Sequence, residues 1–279
     1  MPNRKARYAS GRQKNIKRGL PLNPNASIAA RYELRMKSLI RRMCEETESE
    51  IKELFRSEPA LEYFAMDDTV SSQAKILMNK LVFKFDKLFS SKAKPFAEAM
   101  VDENEDASAE ALRASFAQLV EGVTIKTDIL TGELKEAITA SIAENVALIK
   151  SIPTKYLDSV QGAVYRSITS GNGMADLIPF LQKHKGITLR RARIIANDQS
   201  RKVFSNINRI RAQKLGVQEY IWLHSSASLE PRKTHKAYNG KKFRFDDPPP
   251  GDKPGERAGP GILIGCKCRA LPIISFSEE

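Results

Sequence analysis

The chain has 279 residues, 41% of them hydrophobic, with 46 Lys and Arg against 33 Asp and Glu and a formal net charge of +13, enough apolar material for one or two ordinary cores without disulfides or metals. No run approaches the roughly 18 consecutive apolar residues of a membrane span, and the N-terminus lacks an apolar segment followed by a small-residue cleavage site, so membrane insertion and general-route secretion are not expected. The cysteines Cys44, Cys266 and Cys268 are odd in number and unevenly placed, which points to a reducing compartment.

The charge is segregated along the chain. Residues 1–32 carry 8 basic and no acidic side chains, residues 33–187 carry 20 and 24, and residues 188–279 carry 18 and 9. Two basic ends around a near-neutral middle make a polyanion the first partner class to consider. Residues 1–24 read as a disordered basic arm with Arg4, Lys5, Arg7, Arg12, Lys14, Lys17 and Arg18 and few large apolar residues. Such an arm is either a solubilising tail or a segment that folds onto phosphate or an acidic protein groove.

Residues 25–130 read as a helical N-terminal region. Ile28, Tyr32, Met36, Leu39, Met43, Ile51 and Leu54 recur at helical spacing, and the helix is expected to end before Pro59. A second stripe, Val70, Ala74, Leu77, Leu81, Phe85 and Leu88, leaves Lys75, Lys80, Lys84 and Lys87 on a face expected to be solvated. The acidic residues at 102–106 are expected in a turn or at a helix start, where the helix dipole accounts for them without a metal, followed by a short helix with Leu112, Phe116 and Leu119.

Residues 131–215 continue the helical pattern. Leu134, Ile138, Ile142, Val146 and Ile149 mark one helix, with Pro153 ending it or separating it from another that holds Leu157, Val160, Val164 and Ile168. Residues 170–173 are a loop by composition. A short helix then runs from Asp176 to His184, closed by Gly186, and Thr188 is read as the N-cap of a long helix that stops at Gly216. In that last helix Leu189, Ala192, Ala196, Val203, Ile207 and Ile210 form the apolar stripe. Arg190, Arg191, Arg193, Arg201, Lys202, Arg209 and Arg211 lie outside it, and Arg190, Arg193 and Arg201 are candidate nucleic-acid contacts.

Beyond Gly216 the period changes to two, at residues 217–222, 242–246 and 262–276. The expectation is therefore a mainly α protein with a small C-terminal α+β unit over 217–276, an antiparallel sheet of about three strands. The Pro- and Gly-rich loop 247–261 is long enough to be functional, mobile or a contact site.

The order of features from Gly186 resembles a known family. A long helix reading Arg-Ala-Arg-Ile-Ile-Ala-Asn-Asp-Gln-Ser is followed by Gly216 and Trp222, then by Arg232-x-x-His235-x-x-x-x-Gly240-x-x-Phe243, a Pro-rich loop, and Cys266-Lys-Cys268-Arg269 with Pro272. This combination resembles the Mu F-like head morphogenesis, or minor capsid, proteins of tailed phages, over about residues 145–275 within a domain reading of 131–279. The resemblance implies a virion or procapsid protein present in few copies near the portal vertex and assembled in the host cytoplasm. It implies portal protein and capsid or scaffolding protein as partners and DNA binding in some members. Neither a membrane nor a small-molecule substrate is expected.

His235, Cys266 and Cys268, with His224 as a possible fourth, are the right residue types for zinc. The Cys-x-Cys bite is cramped, and where many members carry an acidic residue, sometimes with Cys-x-x-Cys, ahead of the His, this chain has Glu230-Pro-Arg-Lys-Thr-His235. No cofactor is therefore assigned, and the cysteines are expected to pack in the sheet while Arg232 and His235 hold a loop. Two alternatives remain open. One is a zinc-stabilised nucleic-acid-binding module on His235, Cys266 and Cys268. The other is a nuclease using His224, His235, Arg232 and Lys233, for which no acidic metal-binding pair is present. The working expectation is a non-enzymatic assembly factor.

Overall fold

The computed structural model describes residues 16–56, 70–119, 132–171, 173–227 and 231–275. These form α1 (Ala26–Arg56), α2 (Val70–Leu119), α3 (Gly132–Ser170), α4 (Met174–Lys214) and α5 (Lys233–Tyr238), with strands β1 (Ile16–Arg18), β2 (Glu219–Leu223), β3 (Lys242–Arg244) and β4 (Arg269–Ser275). The chain divides into two compact units. One comprises residues 24–107 and 131–204, the other residues 1–23, 108–130 and 205–279.

The first unit is helical. Its core is built from Tyr32, Met36, Ile40, Met43 and Ile51 of α1, Met78, Leu81, Phe85 and Phe89 of α2, Ile149, Ile152, Tyr156 and Val160 of α3, and Leu177, Leu181, Ala192 and Ala196 of α4. Buried hydrogen bonds tie the helices together. The Tyr32 hydroxyl donates to Asn145 Oδ1 at 3.0 Å, the Asn145 amide to Gln199 Oε1 at 3.3 Å, and Asn104 pairs with Ser200 at 3.2 Å. Burial lifts the Tyr32 hydroxyl far above its ordinary pKa, so it stays a donor.

Several helices run on where the sequence predicted breaks. Residues 102–106 lie inside α2, which is continuous for 50 residues, so a helix dipole does not account for these acids. Glu103 instead pairs with Arg31 at 2.6 Å and Arg35 at 3.2 Å. The Asp102 carboxyl is pushed up by burial, then by Glu98 and Asp106. The lysine face of α2 is exposed as expected, and two of its lysines form surface ion pairs, Lys80 with Glu50 at 3.2 Å and Lys84 with Glu46 at 2.5 Å.

Pro153 lies within α3 and Gly186 within α4. A proline in a helix interior costs about 3 kcal/mol, yet Ile149, Ile152, Tyr156 and Val160 keep one buried face across it, and packing overrides local preference. In α4 the buried positions Leu177, Leu181, Thr188, Ala192 and Ala196 stay in helical register through Gly186. Thr188 is thus no N-cap; its hydroxyl donates to the carbonyl of His184, one turn back, at 2.9 Å. The predicted stripe of this helix holds at Ala192, Ala196, Val203, Ile207 and Ile210, but Arg211, expected outside it, is buried.

The second unit carries a four-stranded antiparallel sheet in the order β1-β4-β2-β3, one strand more than expected. The added strand comes from the predicted basic arm. Ile16 pairs with Ser275 and Arg18 with Ile273, leaving Lys17 and Arg18 exposed on an edge strand. The Leu20 amide then donates to Ser115 Oγ at 3.0 Å. At Gly19 a Cβ would stand 2.2 Å from that oxygen, so only glycine fits. Leu22 is buried, which together with the strand explains why the expected disorder does not extend to residues 16–24. The rest of the arm, with Arg4, Lys5, Arg7, Arg12 and Lys14, lies outside the described residues.

Candidate functional site

The motif spacing from Trp222 to Phe243 is explained by one folding unit. Trp222 sits in β2, fully buried, with its partner Ala270 in β4. The chain leaves β2, forms the six-residue α5 and turns at Asn239 and Gly240 to return as β3 against β2. Gly240 has φ +78°, and its amide donates to the Trp222 carbonyl at 2.8 Å; the turn needs a residue that tolerates the left-handed region. His235 of α5 therefore lands edge-on to the Trp222 ring at 4.9 Å. Tyr238 and Phe243 complete the cluster at 5.4 and 6.1 Å from the same ring.

The long loop is pinned. Pro250 bridges Arg257, the Gly251 amide donates to the Glu256 carbonyl at 2.8 Å, and the Asp252 amide donates to Glu256 Oε2 at 2.9 Å. Arg232, immediately ahead of α5, pairs with Asp252 at 2.8 Å and donates to the Ile264 carbonyl at 3.0 Å. Of the predicted roles, Arg232 thus holds the loop, as expected. Arg269, at the start of β4, hydrogen-bonds Asn23 at 2.5 Å.

Within the predicted extended segment 262–276, the described residues are strand only over Arg269–Ser275; residues 262–265 form a turn closed by the Cys266 amide on the Leu263 carbonyl at 2.8 Å, and 266–268 are irregular. That correction matters for the cysteines. They are presented by a turn leading into a strand, not by the pleat of one strand, and both are buried. The structure brings His235, Cys266 and Cys268 together, with their donor atoms all within 4.8 Å of one another. His235 Nδ1 lies 3.5 Å from Cys266 Sγ and 3.7 Å from Cys268 Sγ, while His224 Nδ1, just past β2, lies 3.6 Å from Cys268 Sγ. His224 Nε2 is buried and has no hydrogen-bond partner among the described residues.

Backbone amides point at both sulfurs, Gly261 at Cys266 at 3.3 Å and Ser225 at Cys268. The two thiols are polarised against each other. Their mutual hydrogen bond, and then burial, pushes Cys266 up to about 12; that same bond holds Cys268 down at about 6, outweighing its burial. A cavity of about 10 Å³ lies among His224, Arg232, His235, Cys266 and Cys268, room for a single ion or water.

The candidate DNA-contacting arginines of α4 are scattered. Arg190 is exposed, whereas Arg193 pairs with Glu33 at 3.0 Å. Lys202 of the same helix pairs with Glu144 at 2.8 Å, and Arg191 donates to Ser151 Oγ at 2.8 Å. Arg201 is half-buried.

A long-helix protein whose small antiparallel sheet carries a buried His/Cys cluster is the class these features define. Within it, residues 158–271 match the family model described as Phage Mu protein F like protein. The chain thus carries a phage Mu F-like region, inside the limits that the motif resemblance marked. It is also similar to an uncharacterized protein of Haemophilus influenzae (strain Rd), 29% identical over 255 residues that cover 89% of this chain and 54% of that protein. The chain therefore spans about half the length of the curated relative it matches. No solved structure matches it. None of the helices is long and apolar enough, over the described residues, to cross a membrane.

Proposed function

We propose that the protein is a phage head morphogenesis factor that associates with the portal vertex during procapsid assembly and binds DNA without sequence preference. The observation that carries this reading is the Mu F-like match over residues 158–271, which includes the Trp222, His235 and Cys-x-Cys motifs. The charge layout supports the DNA part, since basic ends flank a near-neutral helical body and Lys17 and Arg18 stand exposed on an edge strand. Ion pairing of Arg193 and Lys202 within the helical unit shifts the weight of DNA contact toward the basic arm. Portal and capsid or scaffolding proteins are its protein partners in this reading, and the procapsid interior its place of action.

The same geometry favours an assembly role over catalysis. His235 is buried, with its Nδ1 facing two sulfurs, where a general base for a phosphodiester would have to meet bulky substrate and water.

The test is a titration of the full chain onto random duplex DNA at rising salt. Log affinity is expected to fall linearly with log salt, with a slope of about −0.9 per phosphate contacted. Neutralising Arg4, Lys5, Arg7, Arg12, Lys14, Lys17 and Arg18 together should flatten that slope. Binding that is insensitive to salt, or a slope unchanged in the neutralised variant, overturns the assignment of the arm.

A further inference from the structure

We propose that His235, Cys266 and Cys268 bind one zinc ion, with His224 turning in from beside Cys268 as the fourth ligand, in a structural site that staples the C-terminal sheet. Three donors lie within 4.8 Å of one another, His235 from the middle of α5 and Cys266 and Cys268 from the turn before β4, and His224, just past β2, stands beside Cys268 at 3.6 Å. With Zn–S near 2.3 Å and Zn–N near 2.0–2.1 Å, the edge of a tetrahedron between a sulfur and a nitrogen is about 3.5–3.6 Å. His235 Nδ1 lies 3.5 and 3.7 Å from the two sulfurs and His224 Nδ1 3.6 Å from Cys268 Sγ, three of the four such edges of a Cys2His2 site.

Hydrogen bonding alone does not explain the arrangement. His235 Nδ1 faces two sulfurs, and Cys268 Sγ faces two imidazole nitrogens and Cys266. His235 Nδ1 has one proton or one lone pair, so it serves one of its two sulfur contacts well and leaves the other unmatched. A cation among them meets His235 Nδ1 and both sulfurs at once, and His224 completes the set. Two thiolates and two neutral imidazoles balance its two positive charges, so the buried centre is neutral, and the protons displaced from the thiols pass to solvent.

The surroundings fit this reading. The Gly261 and Ser225 amides donate to the sulfurs, as donors around a metal-bound thiolate do. At Gly261 φ is +85° and a Cβ would stand 2.3 Å from Ser205 Oγ, so the residue that brings its amide to Cys266 is held to glycine. The cavity admits one ion. Nitrogen and sulfur ligands with no carboxylate select zinc over magnesium or calcium. With four protein ligands no position is left for water or substrate, which makes the site structural and not catalytic.

Untagged full-length protein, purified without chelator, is analysed for bound metals. About one zinc per chain is expected, and after exchange with cobalt the near-ultraviolet thiolate-to-cobalt band and the strong visible bands of a tetrahedral centre. C266S and C268S should each lose zinc and the thiolate band. H224N should retain zinc but surrender it to a chromophoric chelator at a lower chelator concentration than the parent.

Because the cysteine variants can fail to fold, the unmodified protein is also stripped with chelator. Trp222, the one tryptophan of the chain, packs against His235, so its emission should shift on stripping and return when zinc is added, but not when magnesium is added. Zinc-free protein that takes up no zinc, or stoichiometric zinc that survives both cysteine substitutions, overturns the site. An H224N variant indistinguishable from the parent overturns the assignment of four ligands. DNA affinity plays no part in these readouts, so the zinc site and the proposed function stand or fall separately.

Discussion

In the helical unit, one buried chain of polar side chains is matched donor to acceptor. The Tyr32 hydroxyl serves Asn145, the Asn145 amide serves Gln199, and the Gln199 amide reaches Glu144 at 3.2 Å. In the sheet unit the polar atoms around Trp222 are two imidazoles and two thiols at 3.5–3.7 Å, and His235 Nδ1 faces two sulfurs with one proton or one lone pair to offer. Within the first arrangement each of these acceptors has a proton aimed at it. The second leaves one contact of His235 Nδ1 unmatched, among atoms that are metal-ligand types. A polar chain that closes on itself supports a core, whereas ligand atoms that converge with a contact left over suit a bound ion.

The largest expected effect tests the sheet unit. Trp222→Ala removes a fully buried ring that His235, Tyr238 and Phe243 pack against. It should cost about 3–5 kcal/mol in denaturant unfolding followed by circular dichroism, and should release any bound zinc more readily. A loss below about 1 kcal/mol would show that the ring cluster does not organise this unit.

A middle-sized effect is expected in the helical unit. Asn145→Ala leaves the Tyr32 hydroxyl and the Gln199 carbonyl without their shared partner and should cost about 1–3 kcal/mol. Combined with Tyr32→Phe, the total should be smaller than the sum of the two single losses. Strict additivity would mean that these groups do not act as one network.

The smallest effect comes from the surface. Arg193→Ala breaks an ion pair whose arginine is mostly exposed and should cost less than about 1 kcal/mol. Burial pushes the Glu33 carboxyl up, but hydrogen bonds from Lys37 and Arg193 outweigh it and hold the pKa below its ordinary value. The stability linked to this group is therefore present above the ordinary carboxylate range and lost as pH falls through the lowered value. Melting temperature should drop less steeply on acidification in Arg193→Ala than in the parent. Identical acid limbs would remove Glu33 from the account.

Much of the fold was legible because burial imprints periodicity on a sequence. The stripe of α1, the helix stop at Gly216 with φ +82°, the switch to period two and the motif order from Trp222 to Cys268 all follow from local patterns. Helix breaks were over-read. Pro153, Gly186 and the acidic run at 102–106 carry strong local signals for an end, and one uninterrupted buried face outweighs each of them. β1 was missed for the opposite reason: three residues reading Ile-Lys-Arg have no pattern of their own and become a strand only because β4 offers an unpaired edge.

The sequence by itself determined which residues are chemically able to act, the basic ends, the two histidines and the Cys-x-Cys pair, because composition and spacing along the chain are local properties. Which of them meet was decided only by tertiary structure. Antiparallel pairing of β2 with β4 and the return of α5 over Trp222 place His224 and His235 beside cysteines more than thirty residues away, and sequence spacing holds no record of a distance closed through space.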